Sequence, residues 1–162
     1  MDLEELTTVI RSQPRDKFVA DRPHLYLLIT AKITDEDDGG FNTLVSEPFK
    51  GKRQSSPSRT MEVLEVDKAK GNPYPDRISI GRARNCDVAI RDPSVSKLHA
   101  HFRKKETGGL ELVDLDSQNG TCVNGRPLAA NRGENVSAGD VLLFGSVSCK
   151  LLSAGQLHDL LK

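Results

Sequence analysis

The stretch ISIGRARNCDVAIRDPSVSKLHAHFRKKETGGLELVDLDSQNGTCVNG, residues 78–125, decides the fold. Short runs rich in β-branched or large apolar residues (RISIG, DVAI, HAHF, LELVDL, TCVNG) alternate with turn-forming segments. Strands of about five residues separated by turn signals every 8 to 12 residues are the pattern of an all-β sandwich. Asn124-Gly125 supplies the two residues that tolerate positive φ in a two-residue type I′ hairpin. Gly108-Gly109 is expected to do the same between HAHFRKK and LELVDL. Outward from this stretch, TMEVLEV on one side and DVLLFGSVSCKLL on the other continue the strand pattern, so the expected fold is a β-sandwich of two antiparallel sheets.

The flanks read differently. Leu3, Leu6, Val9 and Ile10 recur at helical spacing and stop before Pro14, which predicts a short amphipathic helix within an N-terminal extension, residues 1–22. HLYLLITAKIT and the segment 41–49 read as a hairpin with an acidic tip at residues 35–40. Residues 50–59, KGKRQSSPSR, are basic, Ser-rich and without large apolar side chains, the composition of a mobile connector. Ser153 to Gln156 fits a capping box ahead of Leu157, Leu160 and Leu161, predicting a C-terminal helix over residues 153–162 that lays an apolar stripe on the sandwich. The sandwich itself is assigned to residues 23–152, with its motif core at 78–148.

At 162 residues the chain suits one domain with a full core. Lys plus Arg equal Asp plus Glu at 23 each, so no global field favours nucleic acid or an anionic membrane, and any anion binding must come from locally arranged donors. No signal peptide or membrane-length apolar run is read, and the expected location is the cytoplasm. Cys86, Cys122 and Cys149 are an odd count without close spacing, which fits reduced thiols in a reducing compartment. Asn119-Gly-Thr and Asn135-Val-Ser match glycosylation sequons by chance on this reading.

Three polar motifs sit where strands end: Gly81-Arg82, Ser96-x-x-His99 and Asn119-Gly120-Thr121. A phosphate held at a protein surface needs charge-assisted hydrogen bonds from a guanidinium, an ammonium or hydroxyls, and Arg82, Ser96 and Lys97 supply these. Gly81 lets the chain leave its strand sharply, and Pro93 presets the turn before Ser94. Val95 and Leu98 are expected to pack inward.

In order and spacing these motifs resemble a forkhead-associated (FHA) domain, a β-sandwich that binds phosphothreonine peptides; the resemblance covers about half the chain and is to a small bacterial FHA protein. The resemblance implies phosphopeptide contacts from Arg82, Ser96, Lys97 and Asn119, with Arg82 the principal phosphate ligand and Asn119 bonded to the peptide backbone. It implies shaping roles for Gly81, His99, Gly120 and Thr121. Ser94 stands where some family members carry an arginine that reads a ligand residue. The implied function is recognition of phosphothreonine-containing partners of Ser/Thr kinases, without enzymatic activity. The alternative is a degenerate FHA-like scaffold that binds a non-phosphorylated surface as an assembly subunit. Thr7 and Thr8, beside Glu4 and Glu5, also resemble the phosphorylatable tail of small bacterial FHA regulators, although a buried helix stripe explains the same segment better.

Other chemistries find no support in the sequence. Ser96, His99 and Asp114 lack a Gly-x-Ser-x-Gly elbow, so a hydrolase triad and catalytic residues are not assigned. No Cys-x-x-Cys or His-Glu-x-x-His spacing suggests a metal. No glycine-rich nucleotide motif occurs, and no cofactor is expected. The basic residues at 50–59 lack interleaved aromatics and read as a solvated loop rather than a nucleic-acid surface.

Overall fold

The structure is a computed structural model that describes residues 3–32 and 61–162. Two sheets face each other. One contains β1 (Leu25–Lys32), β2 (Glu62–Val66), β7 (Thr121–Val123), β8 (Arg126–Pro127), β10 (Val141–Phe144) and β11 (Val147–Leu152), in the order β2-β1-β11-β10-β7-β8. The other contains β3 (Arg77–Gly81), β4 (Val88–Ala89), β5 (Ala100–Lys104), β6 (Leu110–Asp114) and β9 (Gly133–Val136), in the order β4-β3-β5-β6-β9. All described pairings are antiparallel except β3 with β4, where Ile80 and Gly81 lie beside Val88 and Ala89 in parallel.

Period-two alternation builds the interior. Ile78 and Ile80 of β3, Leu142 and Phe144 of β10, and Val147, Cys149 and Leu151 of β11 all point inward and are buried. β1 does not alternate, because both of its faces are covered. Leu27 and Ile29 enter the sandwich core, while Tyr26 and Leu28 enter a second apolar cluster with Leu6, Ile10, Phe18, Leu152 and Leu157. That second core explains the unbroken apolar run LYLLI and gives the helices their packing surface.

The helices are α1 (Leu3–Ser12), α2 (Arg15–Asp21) and α3 (Ala154–Leu161). Pro14, at φ −64° and ψ 151°, ends α1 and starts α2. α2 has too few turns to show a periodic stripe in the sequence, and its burial rests on Phe18 alone. α3 begins with a capping box: Ser153 Oγ accepts from the Gln156 amide at 3.3 Å, and Gln156 Oε1 accepts from the Ser153 amide at 3.1 Å. The stripe of α3 differs from the expected one. Ala154, Leu157 and His158 are buried and Leu161 packs beside them, while Leu160 is 52% exposed. That is the i, i+3, i+4, i+7 face of a helix, and a small alanine and a histidine occupy positions that a search for leucines passes over.

Two turns separate on their backbone angles. Asn124 and Gly125 both have positive φ, at 49° and 82°, as a type I′ turn between β7 and β8 requires. The Gly108-Gly109 turn is not of this kind. Only Gly108 has positive φ, the Gly108 amide donates to Lys105 O at 3.0 Å and the Lys105 amide to Gly109 O at 2.8 Å. This is a three-residue loop that closes with glycine in the left-handed region. β8 and β9, two and four residues long, carry too little alternation to be read from sequence. The second strand of the expected N-terminal hairpin, its acidic tip and the basic connector at 50–59 lie outside the described residues; β1 itself pairs with β2 and β11.

Candidate functional site

The three motif loops meet at one end of the sandwich. β3 runs into the first loop at Gly81, which is buried beneath the second loop. A Cβ at Gly81 would collide with the backbone oxygen of Lys97. Close approach lets the Arg82 amide donate to Ser96 O at 2.9 Å and the Ala83 amide to Lys97 O at 3.1 Å. Replacing Gly81 with alanine is therefore expected to push the Ser96-Lys97 segment outward and destabilise the fold by about 1–3 kcal/mol, the usual range for overpacking. Thermal unfolding of the variant measures this, and a melting temperature equal to that of the parent chain would contradict it.

The second loop carries Ser94, Ser96 and Lys97. Val95 is buried as expected, but Leu98 is 54% exposed, so it does not pack inward. The reason is local: residues 96–99 are not in a strand, β5 begins only at Ala100, and inward burial passes to His99. Ser94 fastens this loop to the turn between β10 and β11. Its Oγ donates to Asp92 Oδ1 at 2.7 Å and accepts from the Ser146 amide at 2.9 Å, while a Cβ on Gly145 would collide with Ser94 O. Its side chain is thus committed inside the protein.

His99 is fully buried and joins the second loop to the third. The Ser96 amide donates to His99 Nδ1 at 3.1 Å, so Nδ1 carries no proton, and Nε2–H donates to Gly120 O at 2.9 Å. Both ring nitrogens are occupied by the backbone in the neutral tautomer, and burial pushes the imidazole pKa below its ordinary value. Asp114, also buried, organises the third loop by accepting from Ser117 Oγ at 2.6 Å, the Ser117 amide at 3.1 Å and Thr121 Oγ1 at 2.7 Å. Burial alone would raise its pKa, and the hydrogen bonds from Ser117 and Thr121 more than reverse that. Gly120 adopts φ 83° as the loop turns back into β7.

The donors that face solvent remain. Arg82 is exposed; its Nε donates to Val95 O at 3.1 Å, which orients the guanidinium and leaves the terminal nitrogens without a protein partner among the described residues. Lys97 is exposed and has no ion-pair partner there either. Ser96 Oγ accepts from the Gln118 amide at 3.0 Å, so its own hydrogen stays available to a ligand. Asn119 Nδ2 donates to Ser94 O at 2.8 Å, leaving Oδ1 and a second amide hydrogen for a peptide backbone. The arrangement can hold an anion with charge-assisted bonds on a rigid base. It does not make a hydrolase triad, because His99 bonds the amide of Ser96 rather than its hydroxyl.

Two features of the site were missed in the sequence. Asp87, whose side chain is 1% exposed, accepts from Lys68 Nζ, the amides of Ala69 and Ser79, the Ser79 hydroxyl and Asn72 Nδ2, at 2.6–3.1 Å. It anchors the far end of the loop that begins at Arg82. Burial would raise its pKa, but these hydrogen bonds, led by Lys68, hold it well below the usual carboxylate range. Arg84 and Arg91 are the second feature: they line a hollow with Arg82, and only their proximity in space reveals it.

A two-sheet sandwich with convergent polar loops at one end is the architecture of a module that reads ligands with its loops. Residues 78–145 match the family model of the FHA domain, and this part of the chain is an FHA domain. Among curated proteins the chain is similar to the oxoglutarate dehydrogenase inhibitor of Corynebacterium diphtheriae, 40% identical over 40% of this chain and 43% of that protein. It is also similar to the glycogen accumulation regulator GarA of Mycolicibacterium smegmatis, 44% identical over 31% of each. The matched segment thus spans less than half of either relative. Among solved structures, an engineered FHA domain with a Myc-pTBD peptide superposes at TM-score 0.52 over 86% of this chain and 98% of that one, at 18% identity. This likeness extends the shared fold beyond the matched motif core. None of the described helices is long and apolar enough to cross a membrane.

Proposed function

We propose that the loop end binds phosphothreonine-containing segments of partner proteins, and that the chain acts as a non-enzymatic recognition module in Ser/Thr kinase signalling in the cytoplasm. The observation that carries this reading is the set of uncommitted donors, Arg82, Ser96, Lys97 and Asn119, on three loops tied together by His99, Ser94 and Gly81. Arg82 and Lys97 supply positive charge, the Ser96 hydroxyl donates to a phosphate oxygen, and Asn119 aligns the ligand backbone. Because the loops are already bonded to one another, little ordering entropy remains to oppose binding. Cys86 and Cys122 carry free thiols, in keeping with a reducing compartment.

Titration with a phosphothreonine peptide library, beside unphosphorylated and phosphoserine controls, tests the reading. Binding that requires the phosphate supports it. Equal binding of phosphorylated and unphosphorylated peptides would favour the scaffold that binds a non-phosphorylated surface.

The N-terminal threonines stand apart from this function. Thr7 Oγ1 donates to Leu3 O at 2.7 Å and Thr8 Oγ1 to Glu4 O at 2.9 Å, within a helix that buries Leu6 and Ile10. This geometry supports the packed-helix reading of the segment over a self-binding tail.

A further inference from the structure

Beside the phosphate donors lies an open hollow of roughly 320 Å³ lined by Arg82, Arg84, Arg91, Asp92 and Pro93. All three arginines are exposed, and none has a carboxylate partner among the described residues. Elsewhere the usual state is pairing: Arg15, Arg22, Arg77, Arg103 and Arg126 each meet an aspartate or glutamate. Arg11 and Arg132 also lack such a partner, but they do not line the hollow. The single carboxylate there, Asp92, is turned back on its own loop, accepting at Oδ1 from the Ser94 amide at 3.0 Å and Ser94 Oγ at 2.7 Å.

The arginines also stand on connected backbone. The Ile90 amide, next to Arg91, donates to Gly81 O at 2.9 Å, and the Arg82 amide donates to Ser96 O at 2.9 Å. Three arginines lining one concavity of a chain with zero net charge make a local positive field. One phosphate on Arg82, Ser96 and Lys97 leaves Arg84 and Arg91 unused.

We propose that Arg84 and Arg91 form a second anion subsite next to the phosphothreonine position, so that the preferred ligand carries a further anionic group, carboxylate or phosphate, close to its phosphothreonine. This rests on the phosphothreonine reading above and adds the ligand class to it. Guanidinium groups bind either anion in fork geometry, and the dianionic phosphate gains more.

The test uses the full chain and one phosphothreonine peptide in three forms: neutral flanks, glutamates within a few positions on either side, and a second phosphoserine at those positions. At about 0.15 M salt the second phosphate is expected to tighten binding about tenfold over neutral flanks, and glutamate by less. In the double variant Arg84→Gln, Arg91→Gln the gain disappears while the neutral phosphopeptide keeps its affinity, which also shows that the variant is folded. If the parent chain binds all three forms equally, or the double variant keeps the gain, the subsite is wrong and phosphothreonine recognition still stands. If no form binds better than its unphosphorylated control, both readings fall together.

Discussion

Arg82→Ala is expected to weaken binding of a phosphothreonine peptide by about 100-fold or more, since two charge-assisted hydrogen bonds of about 1.5–3 kcal/mol each are lost. The cost to the fold is small by comparison. Only the bond from Arg82 Nε to Val95 O disappears, at a part-exposed position, and the expected destabilisation is about 1 kcal/mol or less. Arg82→Lys should fall between, because an ammonium keeps the charge but neither the fork nor the Val95 anchor. Calorimetric titration with thermal unfolding on the same samples measures both quantities. Alanine binding within threefold of the parent chain would remove Arg82 from the ligand contacts.

Asp87→Ala should give the largest loss of stability, about 3–5 kcal/mol, as expected when one partner of a buried ion pair is removed. Lys68 Nζ keeps Pro73 O and Arg77 O, but the amides of Ala69 and Ser79 lose their acceptor. Asp87→Asn is no remedy, because either orientation of the amide sets an NH₂ against donors: Lys68 and Ser79 on one side, Ala69 and Asn72 on the other. For a domain of this size the loss is a drop of roughly 10 °C in Tm.

The same carboxylate sets part of the acid response. Its folded pKa is depressed, so its stabilisation is fully present above the unfolded value near 3.8 and is lost as pH falls through the folded value. His99 adds an earlier loss. Its imidazole is held neutral, so stability declines once pH falls below the unfolded value near 6.5, where the unfolded chain takes up a proton that the folded chain resists. Denaturant titrations at stepped pH should show both phases, and Asp87→Asn should shrink the lower one to the share that Asp114 keeps.

What the sequence disclosed followed from period and turn chemistry. The strands β3, β5 and β10–β11 carry the alternation, and the Asn124-Gly125 turn needs its two residues for their φ angles. The three polar motifs could be placed at strand ends because such patterns are local. What stayed hidden depends on distance in space. Asp87 gathers partners 8 to 19 positions away, and Ser94 bonds Ser146 across 52 positions. Leu98 looked like a core residue because leucine is apolar, yet His99 takes the inward position through its two backbone bonds. The helical layer on β1 was equally out of reach, since α2 is one short helix whose single buried anchor, Phe18, gains meaning only against Tyr26 and Leu157.

Mapping amide chemical shifts of the ¹⁵N-labelled chain during titration with a phosphothreonine peptide tests phosphate recognition by the loop end most directly. The expected perturbations cluster at Arg82, residues 94–99 and residues 117–120, and the unphosphorylated peptide produces none of them. Perturbations centred on the helices or on the opposite end of the sandwich, or identical shifts from the unphosphorylated peptide, would contradict it.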